Sequence, residues 1–432
     1  GIKRREGCEY SDFAILYRTN AQSRVFEDTM RKEGLPYRIY GGLSFYQRKE
    51  IKDVIAYFRL AVNPNDEEAF KRVINYPARG IGQTTVTKIL ASATQHEVSL
   101  WTVVNHPELY GLDVNKSTLT KIGQFREMIE SFMENAQQIP ANQIGTMIVK
   151  QSGIIADIYQ DTTPENLSRQ ENVEELINGM QDFCDMRMEE GNGNISLSDY
   201  LSEVSLMSDV DSDKGDDGHK VTLMTIHSAK GLEFNTVFVV GLEEGLFPSD
   251  MVSGNPREME EERRLFYVAI TRAKTHCYLS YAQCRFRYGQ MEFSSPSRFL
   301  KDIDAKYLDR QQSMFSSRRG VGDEVELPWQ RRGGLFGGGE RQESPRPFRP
   351  TMPSVKPIPS ARPVSSATLT SPICPTHLSS LSVGTRILHN RFGRGEILRI
   401  EGSGDSTKAT VQFENVGTKQ LLLKFAKFEV ID

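Results

Sequence analysis

No stretch of this 432-residue chain approaches the roughly 20 consecutive apolar residues that a membrane-spanning helix needs. The opening GIKRREGCEY is charged and has no apolar run behind it, so no secretory signal is expected. Cysteine is scarce and unpaired. Cys8, Cys184, Cys277, Cys284 and Cys374 make an odd count with no C-x-x-C spacing, which points to a reduced, cytoplasmic protein without a metal centre. An excess of one charge is also missing: 53 Lys and Arg face 57 Asp and Glu, a net charge of −4. No basic surplus announces a polyanionic partner, so any such contact has to come from local geometry. Finally, Gly-x-x-x-x-Gly-Lys-Ser/Thr occurs nowhere, and Gly231 follows Lys230 rather than preceding a lysine. Without that loop a chain lacks the P-loop kind of backbone cradle for nucleotide phosphates.

What is present describes a globular protein of about three domains. Hydrophobic residues make up 38% and charged residues 25%, enough for real cores and a well-solvated surface. The chain starts at Gly1 and enters a strand by Phe13, as if cut from something longer.

The first segment reads strand–helix–strand. Phe13 to Tyr17 is a short apolar run, Asn20 or Ser23 can cap a helix that buries Phe26 and Met30, and Gly34 with Pro36 ends it before Tyr37 to Tyr40. This pattern implies a parallel sheet. From Lys49 to Leu206 the apolar spacing becomes helical, as in Ile51–Val62, Phe125–Met133, Glu171–Met188 and Leu197–Met207. Residues 209–217 are acidic and read as a mobile loop. Strand patterns return at Val221–Ile226, Thr236–Val240 and His276–Tyr281, with a helix from Pro256 to about Arg272. The expected fold is therefore α/β, a parallel-sheet domain in two pieces (1–48 and 216–310) interrupted by an all-helical insertion (49–215). Residues 311–380, rich in Pro, Gly, Ser and Arg, read as a disordered linker. Residues 381–432 predict a small SH3-like β-barrel from strands at Thr385–His389, Glu396–Ile400, Ala409–Phe413 and Gln420–Phe425.

Two segments concentrate chemistry. In VTLMTIHSAKGLEFNTVFVVGLEEGLFP, Val221 to Pro248, a polar loop from His227 to Glu233 links two buried strands. Ligands gather at the carboxyl ends of parallel strands, although a plain connection would also look like this. In EMEEERRLFYVAITRAKTHCYLSYA, Glu258 to Ala282, acidic residues crowd a helix start and Arg272 stands near its end. Leu265, Val268 and Ala269 share the face expected to dock that helix. An arginine so placed can clamp a phosphate or merely favour the helix dipole. In NYPARGIGQTTVTKIL, Asn75 to Leu90, Gly80-Ile81-Gly82 precedes a helix, either as a tight turn or as a phosphate-approach site.

Together, the first two segments resemble motifs V and VI of the UvrD/PcrA branch of superfamily 1 DNA helicases. FAILYRTNAQSR (Phe13 to Arg24) and YGGLSFYQRKEIKD (Tyr40 to Asp53) resemble that branch's motifs between IV and V, in the same order. The match covers roughly Asp12 to Ala282. The resemblance implies a RecA-like motor domain with Arg272 as the arginine finger on the ATP γ-phosphate, Glu233 on the ribose and Gly231 beside it. It implies that Thr225 and His227 contact single-stranded DNA, with Arg18, Asn20 and Arg24 near its phosphates. The inserted domain's GIG loop would meet duplex DNA through Gly80, Gly82, Thr84 and Thr85, with Arg79 as a phosphate partner. The tail from Val383 looks like the family's Tudor-like domain, associated with RNA polymerase.

The family's phosphate loop, its Asp-Glu pair for Mg2+ and its adenine-stacking tyrosine are absent, so the ligands of ATP and Mg2+ are expected in an N-terminal motor half. The expectation is the C-terminal part of a 3′→5′ DNA helicase acting in repair or replication, inactive alone. The alternative is a non-catalytic module that binds DNA and RNA polymerase. No metal site and no membrane partner are expected.

Overall fold

A computed structural model describes residues 7–309 apart from 162, 211–218, 253 and 288–289. It also describes 381–431 apart from 390–391, 403, 405–406, 415–416 and 427. The linker expected over 311–380 and most of the acidic stretch 209–217 lie outside the described residues.

The chain opens with β1 (Phe13–Tyr17), α1 (Ser23–Lys32) and β2 (Tyr37–Ile39). All five residues of β1 are buried, which is why the strand reads as an unbroken apolar run rather than an alternation. Neither Asn20 nor Ser23 caps α1, whose N-cap residue is Gln22 with no side-chain bond to the first helical amides; the Gln22 side chain turns back to the end of β1 instead. Its Oε1 accepts from the backbone N–H groups of Arg18 and Thr19, each at 2.9 Å, and so fixes the turn after β1.

There follow α2 (Lys49–Val62), α3 (Glu67–Val73), α4 (Gln83–His96), α5 (Leu100–Asn105), α6 (Lys116–Ala136), α7 (Ala141–Gln151), α8 (Ile154–Ile158), α9 (Pro164–Glu189) and α10 (Leu197–Val210). Their common core is built on α2, whose Ile51, Val54, Tyr57, Phe58 and Leu60 are fully buried, joined by Phe70, Phe125, Phe132, Ile144 and Leu176. Side chains spaced three and four apart along α2 face neighbours on more than one side, so this helix is central rather than peripheral.

The chain then returns through β3 (Val221–Thr225), β4 (Phe234–Val239), α11 (Pro256–Ile270) and β5 (Ala273–Leu279). The five strands so far form one sheet in the order β2-β3-β1-β4-β5, with every pairing parallel. Tyr37 pairs with Val221 although α2–α10 all lie between them in sequence. The helical block is thus an insertion whose two ends close onto neighbouring strands. A short hairpin, β6 (Cys284–Arg287) with β7 (Gln290–Phe293), was not anticipated from the sequence.

The tail forms β8 (Arg386–His389), β9 (Gly393–Glu401), β10 (Lys408–Phe413), β11 (Gly417–Leu422) and β12 (Phe428–Ile431). These make an antiparallel five-stranded sheet in the order β11-β10-β9-β8-β12 around Ile387, Ile397, Val411, Phe413 and Leu421. The last strand had no counterpart in the sequence reading. Beyond the parallel sheet the Asp304 side chain caps the turn at Ala305–Tyr307.

A buried polar seam joins the first helix to the inserted block. Arg24 on α1 donates from Nε to Glu175 at 2.8 Å and from Nη2 to Asp182 at 3.1 Å, both on α9, and from Nη1 to Asp28 at 3.2 Å. Arg48 donates to Asn172 Oδ1 and to Ser23 Oγ, each at 2.7 Å, while Asn172 donates to Glu50 at 2.6 Å. Glu27, fully buried, accepts from Ser44 Oγ at 2.6 Å and from the Phe45 N–H at 3.1 Å. Burial pushes the Asp28 carboxyl up to about 6, against the opposing charges of Arg24 and Arg31. Each of these charged groups sits at a position where an apolar side chain would pack, so the seam is specified by matched partners rather than by hydrophobicity.

Candidate functional site

The loop from Ile226 to Glu233 begins at the carboxyl end of β3 and finishes at the amino end of β4. Register makes this explicit: Tyr17 lies level with Thr225, whereas Phe234, the first residue of β4, pairs with Ala273, the first of β5. The candidate residues therefore divide between two edges of one sheet. The whole loop is expected at the carboxyl edge from its sequence, yet its second half lies at the opposite one. A short apolar anchor allows the crossing: Ala229 is fully buried, its N–H bonds the Ile226 carbonyl at 3.2 Å, and the Leu232 N–H bonds the Ala229 carbonyl at 3.1 Å.

At the carboxyl edge stand Arg18, Asn20, Thr225 and His227. The Ile226 N–H bonds the Tyr17 carbonyl at 2.9 Å, locking the start of the loop beside the end of β1. Thr225 Oγ1 lies 3.0 Å from Ser228 Oγ and accepts from the Ser228 N–H at 3.3 Å, which turns His227 outward. Desolvation by its surroundings, and then the charge of Arg18, push the His227 imidazole below its ordinary 6.5, against a weaker opposing effect of Glu262. Arg18 is itself held by Glu262 of α11, donating from Nε at 3.0 and 3.1 Å and from Nη2 at 2.6 Å. Asn20 opens the adjacent turn and is exposed.

At the amino edge stand Gly231, Glu233 and Arg272. Gly231 and Glu233 are exposed. The Arg272 guanidinium donates from Nη1 to the Leu232 carbonyl at 3.0 Å, from Nε to the Val268 carbonyl at 3.1 Å and from Nη2 to Thr271 Oγ1 at 3.1 Å. Its backbone carbonyl accepts from the Phe234 N–H at 2.9 Å. Neutral groups thus orient the cation, and among the described residues no carboxylate pairs with it. Arg264, by contrast, pairs with Glu261 three residues earlier. A half-buried arginine held only by carbonyls and a hydroxyl is oriented without a counter-charge, an arrangement that can receive an anion such as a phosphate.

The helix α11 connects the two edges. Its buried residues are Glu262, Phe266 and Ala269, with Leu265 packed at the margin. Phe266 takes the inward position that the sequence reading gave to Val268. The spacing of Glu262, four and seven residues before two buried apolar positions, puts a carboxylate on the docking stripe, an anomaly that marks it in the sequence.

The loop at Gly80 lies in the inserted block, before α4. Gly80 has φ +70°, a conformation that favours glycine. Asn75 Oδ1 folds the loop by accepting from the N–H groups of Arg79 at 2.9 Å and Ile81 at 3.0 Å. Ile81 is fully buried, while Gly80, Gly82 and Thr84 are exposed and Thr85 is half-buried. Gly82 caps α4 without a side-chain bond to the first amides. Arg79 does not point outward with them. It donates to the carbonyls of Val73 at 3.0 Å, Pro77 at 3.2 Å and Ser152 at 2.7 Å, and its guanidinium lies over the rings of Tyr57 and Phe125. The cation at the loop is instead Lys121 of α6, with Nζ 3.5 Å from the Gly80 carbonyl. Arg24, likewise read as lying near DNA phosphates, is 6% exposed and committed to three carboxylates. Both arginines face protein groups rather than solvent, because an arginine's partners depend on what its long side chain meets, which local sequence does not give.

No helix among the described residues is long and apolar enough to cross a membrane. The family model for the UvrD-like helicase C-terminal domain matches residues 2–284, and that for the PcrA/UvrD tudor domain matches 383–429. An ATP-dependent DNA helicase PcrA of Leuconostoc citreum is 34% identical over 432 residues, covering all of this chain and 54% of the relative. Proteins of the same name are 35% identical in Staphylococcus aureus strain Mu50, over 98% of this chain and 53% of theirs, and in Staphylococcus epidermidis, over 98% and 52%. The chain spans about half the length of these relatives. With a parallel sheet interrupted by a helical block and followed by a small antiparallel one, the chain belongs to the UvrD-like helicase C-terminal domain family.

Proposed function

We propose that this chain is the C-terminal part of a cytoplasmic ATP-dependent DNA helicase that moves 3′→5′ on single-stranded DNA and unwinds duplex during repair or replication. One observation carries the reading: Arg272, a cation oriented by neutral groups and without a carboxylate partner among the described residues, stands at one edge of a sheet whose other edge presents Arg18, Asn20, Thr225 and His227. When bound between this sheet and an N-terminal motor half, ATP supplies the free energy of γ-phosphate cleavage. Arg272 stabilises the charge that develops there, and Glu233 and Gly231 lie beside it for the nucleoside. Mg2+ would be held by that other half, since the phosphate loop and the acidic pair are absent from this sequence. At the opposite edge Thr225, His227, Asn20 and Arg18 grip the strand, and the loop from Ile226 to Glu233 links the two. The exposed Gly80, Gly82, Thr84 and Thr85 approach duplex DNA at the junction, and the tail sheet is the surface for RNA polymerase.

The test is DNA-stimulated ATP hydrolysis by this polypeptide, alone and mixed with a matching N-terminal half. The expected result is no turnover alone and turnover on mixing, reduced about a thousandfold or more by Arg272→Ala, as for other arginine fingers. Normal turnover by the Arg272→Ala mixture would overturn the assignment, and robust turnover by the chain alone would require a nucleotide site elsewhere.

A further inference from the structure

The Arg18–Glu262 pair goes beyond the DNA contact assigned above and rests on that assignment. Glu262 is 6% exposed, so its charge is removed from water and has to be matched by a partner. Both its oxygens face Arg18, but on one side only of the guanidinium: Nε lies 3.0 and 3.1 Å from the two oxygens and Nη2 lies 2.6 Å from one. Nη1 has no partner among the described residues. The carboxylate therefore clamps the inner edge of the fork and leaves the outer edge, Nη1 with the second Nη2 hydrogen, for another anion. The backbone of Arg18 is fixed as well, through Gln22. The side chain has lost its rotational freedom before any ligand arrives, which is the condition under which an arginine binds a phosphate with two parallel hydrogen bonds.

We infer that Glu262 is a positioning residue: it orients Arg18 so that its outer edge takes a phosphate of single-stranded DNA. It does not merely neutralise that arginine. Arg18 follows β1 and His227 follows β3, whose carboxyl ends lie level at Tyr17 and Thr225, so the Arg18–Glu262 pair and His227 stand at one edge of the sheet. The place of Glu262 on α11 gives the contact a mechanical consequence. From Glu262 to Val268, whose carbonyl holds Arg272, the helix rises roughly 9 Å without interruption. A phosphate that pulls on Arg18 pulls on the same helix that seats the arginine of the nucleotide edge.

The experiment measures binding of a fluorescein-labelled oligodeoxythymidylate of about 16 nucleotides to the whole chain, by anisotropy across a salt series. Arg18→Ala is expected to weaken binding and to lower the slope of log K against log salt by about 0.7, the loss of one phosphate contact. Glu262→Gln, nearly isosteric, is expected to weaken binding five- to tenfold and lower the slope similarly, with no further effect when combined with Arg18→Ala. Glu262→Asp, which keeps the charge, should fall between Gln and the unmodified chain.

Tighter binding by Glu262→Gln would overturn the inference, because Glu262 would then be only a competitor for the arginine. Equal weakening in the presence and absence of Arg18 would also overturn it, since the effect would not run through that side chain. An Arg18→Ala chain that binds like the unmodified one sinks the phosphate reading of Arg18 itself, a failure distinct from that of Glu262.

Discussion

Replacing Gly179 by alanine sets two effects of known size against each other. Gly179 lies inside α9, a 26-residue helix, where alanine should be favoured by about 0.8–1 kcal/mol. A Cβ added there would stand 2.6 Å from Arg24 Nη1, 2.9 Å from Cζ and 3.1 Å from Nε. An unconstrained arginine would swing aside, since its far end is flexible. This one is pinned, with Glu175 at 2.8 Å, Asp28 at 3.2 Å and Asp182 at 3.1 Å. Restoring contact distances of about 3.5 Å means withdrawing the guanidinium by nearly an ångström, beyond hydrogen-bond reach of at least one partner.

The Asp182 pair contributes little, because that side chain is 58% exposed. The Glu175 and Asp28 bonds are largely buried, and weakening charged bonds of that kind costs about 1.5–3 kcal/mol each. Net destabilisation of about 2–5 kcal/mol follows, so the clash outweighs propensity. Urea unfolding monitored by far-UV circular dichroism reads the change. In an Arg24→Ala background the obstruction is gone, and the same glycine-to-alanine change should become stabilising by up to about 1 kcal/mol. This reversal of sign is the expected signature. If Gly179→Ala stabilises the unmodified chain as well, Arg24 yields freely and the seam does not hold α1 to α9 as described.

Two more perturbations test the sites. Arg79→Ala removes the donor for three backbone carbonyls and should lower stability by roughly 2–4 kcal/mol, leaving the salt slope of duplex binding unchanged. A slope smaller by about 0.9 with stability intact would return Arg79 to the phosphate role. The depressed His227 leaves the ring neutral at pH 7, and a nearby phosphate would favour its protonated form, so DNA binding takes up a proton. Affinity should therefore rise as pH is lowered from about 7.5 through the ordinary histidine value, and His227→Gln should flatten that dependence; a flat profile for the unmodified chain refutes it. In the same window the unfolded chain binds more protons than the folded one at this residue, so its contribution to stability falls as pH drops.

The sequence by itself determined the class and most of the main elements, though not the hairpin of β6 and β7 or the last strand β12. A fully buried β1 has to read as FAILY, and helices with a central buried face have to repeat every three or four residues, so strand and helix periods were visible from β1 through α11. The segments holding Arg272, His227 and the Gly80 loop were legible too, because turns and helix ends are written in short stretches. Tertiary structure decided which way long side chains turn and which residues meet across distance. Arg24 finds α9, Arg79 finds the carbonyls of its own block, and Arg18 finds Glu262, a partner 244 residues away. It also decided that one loop serves two edges of the sheet, since parallel register rather than chain order sets where each end of a loop emerges. Local propensity acts over a few residues, whereas a charged side chain is assigned by whatever desolvates and pairs it, and in this chain those partners lie on other elements.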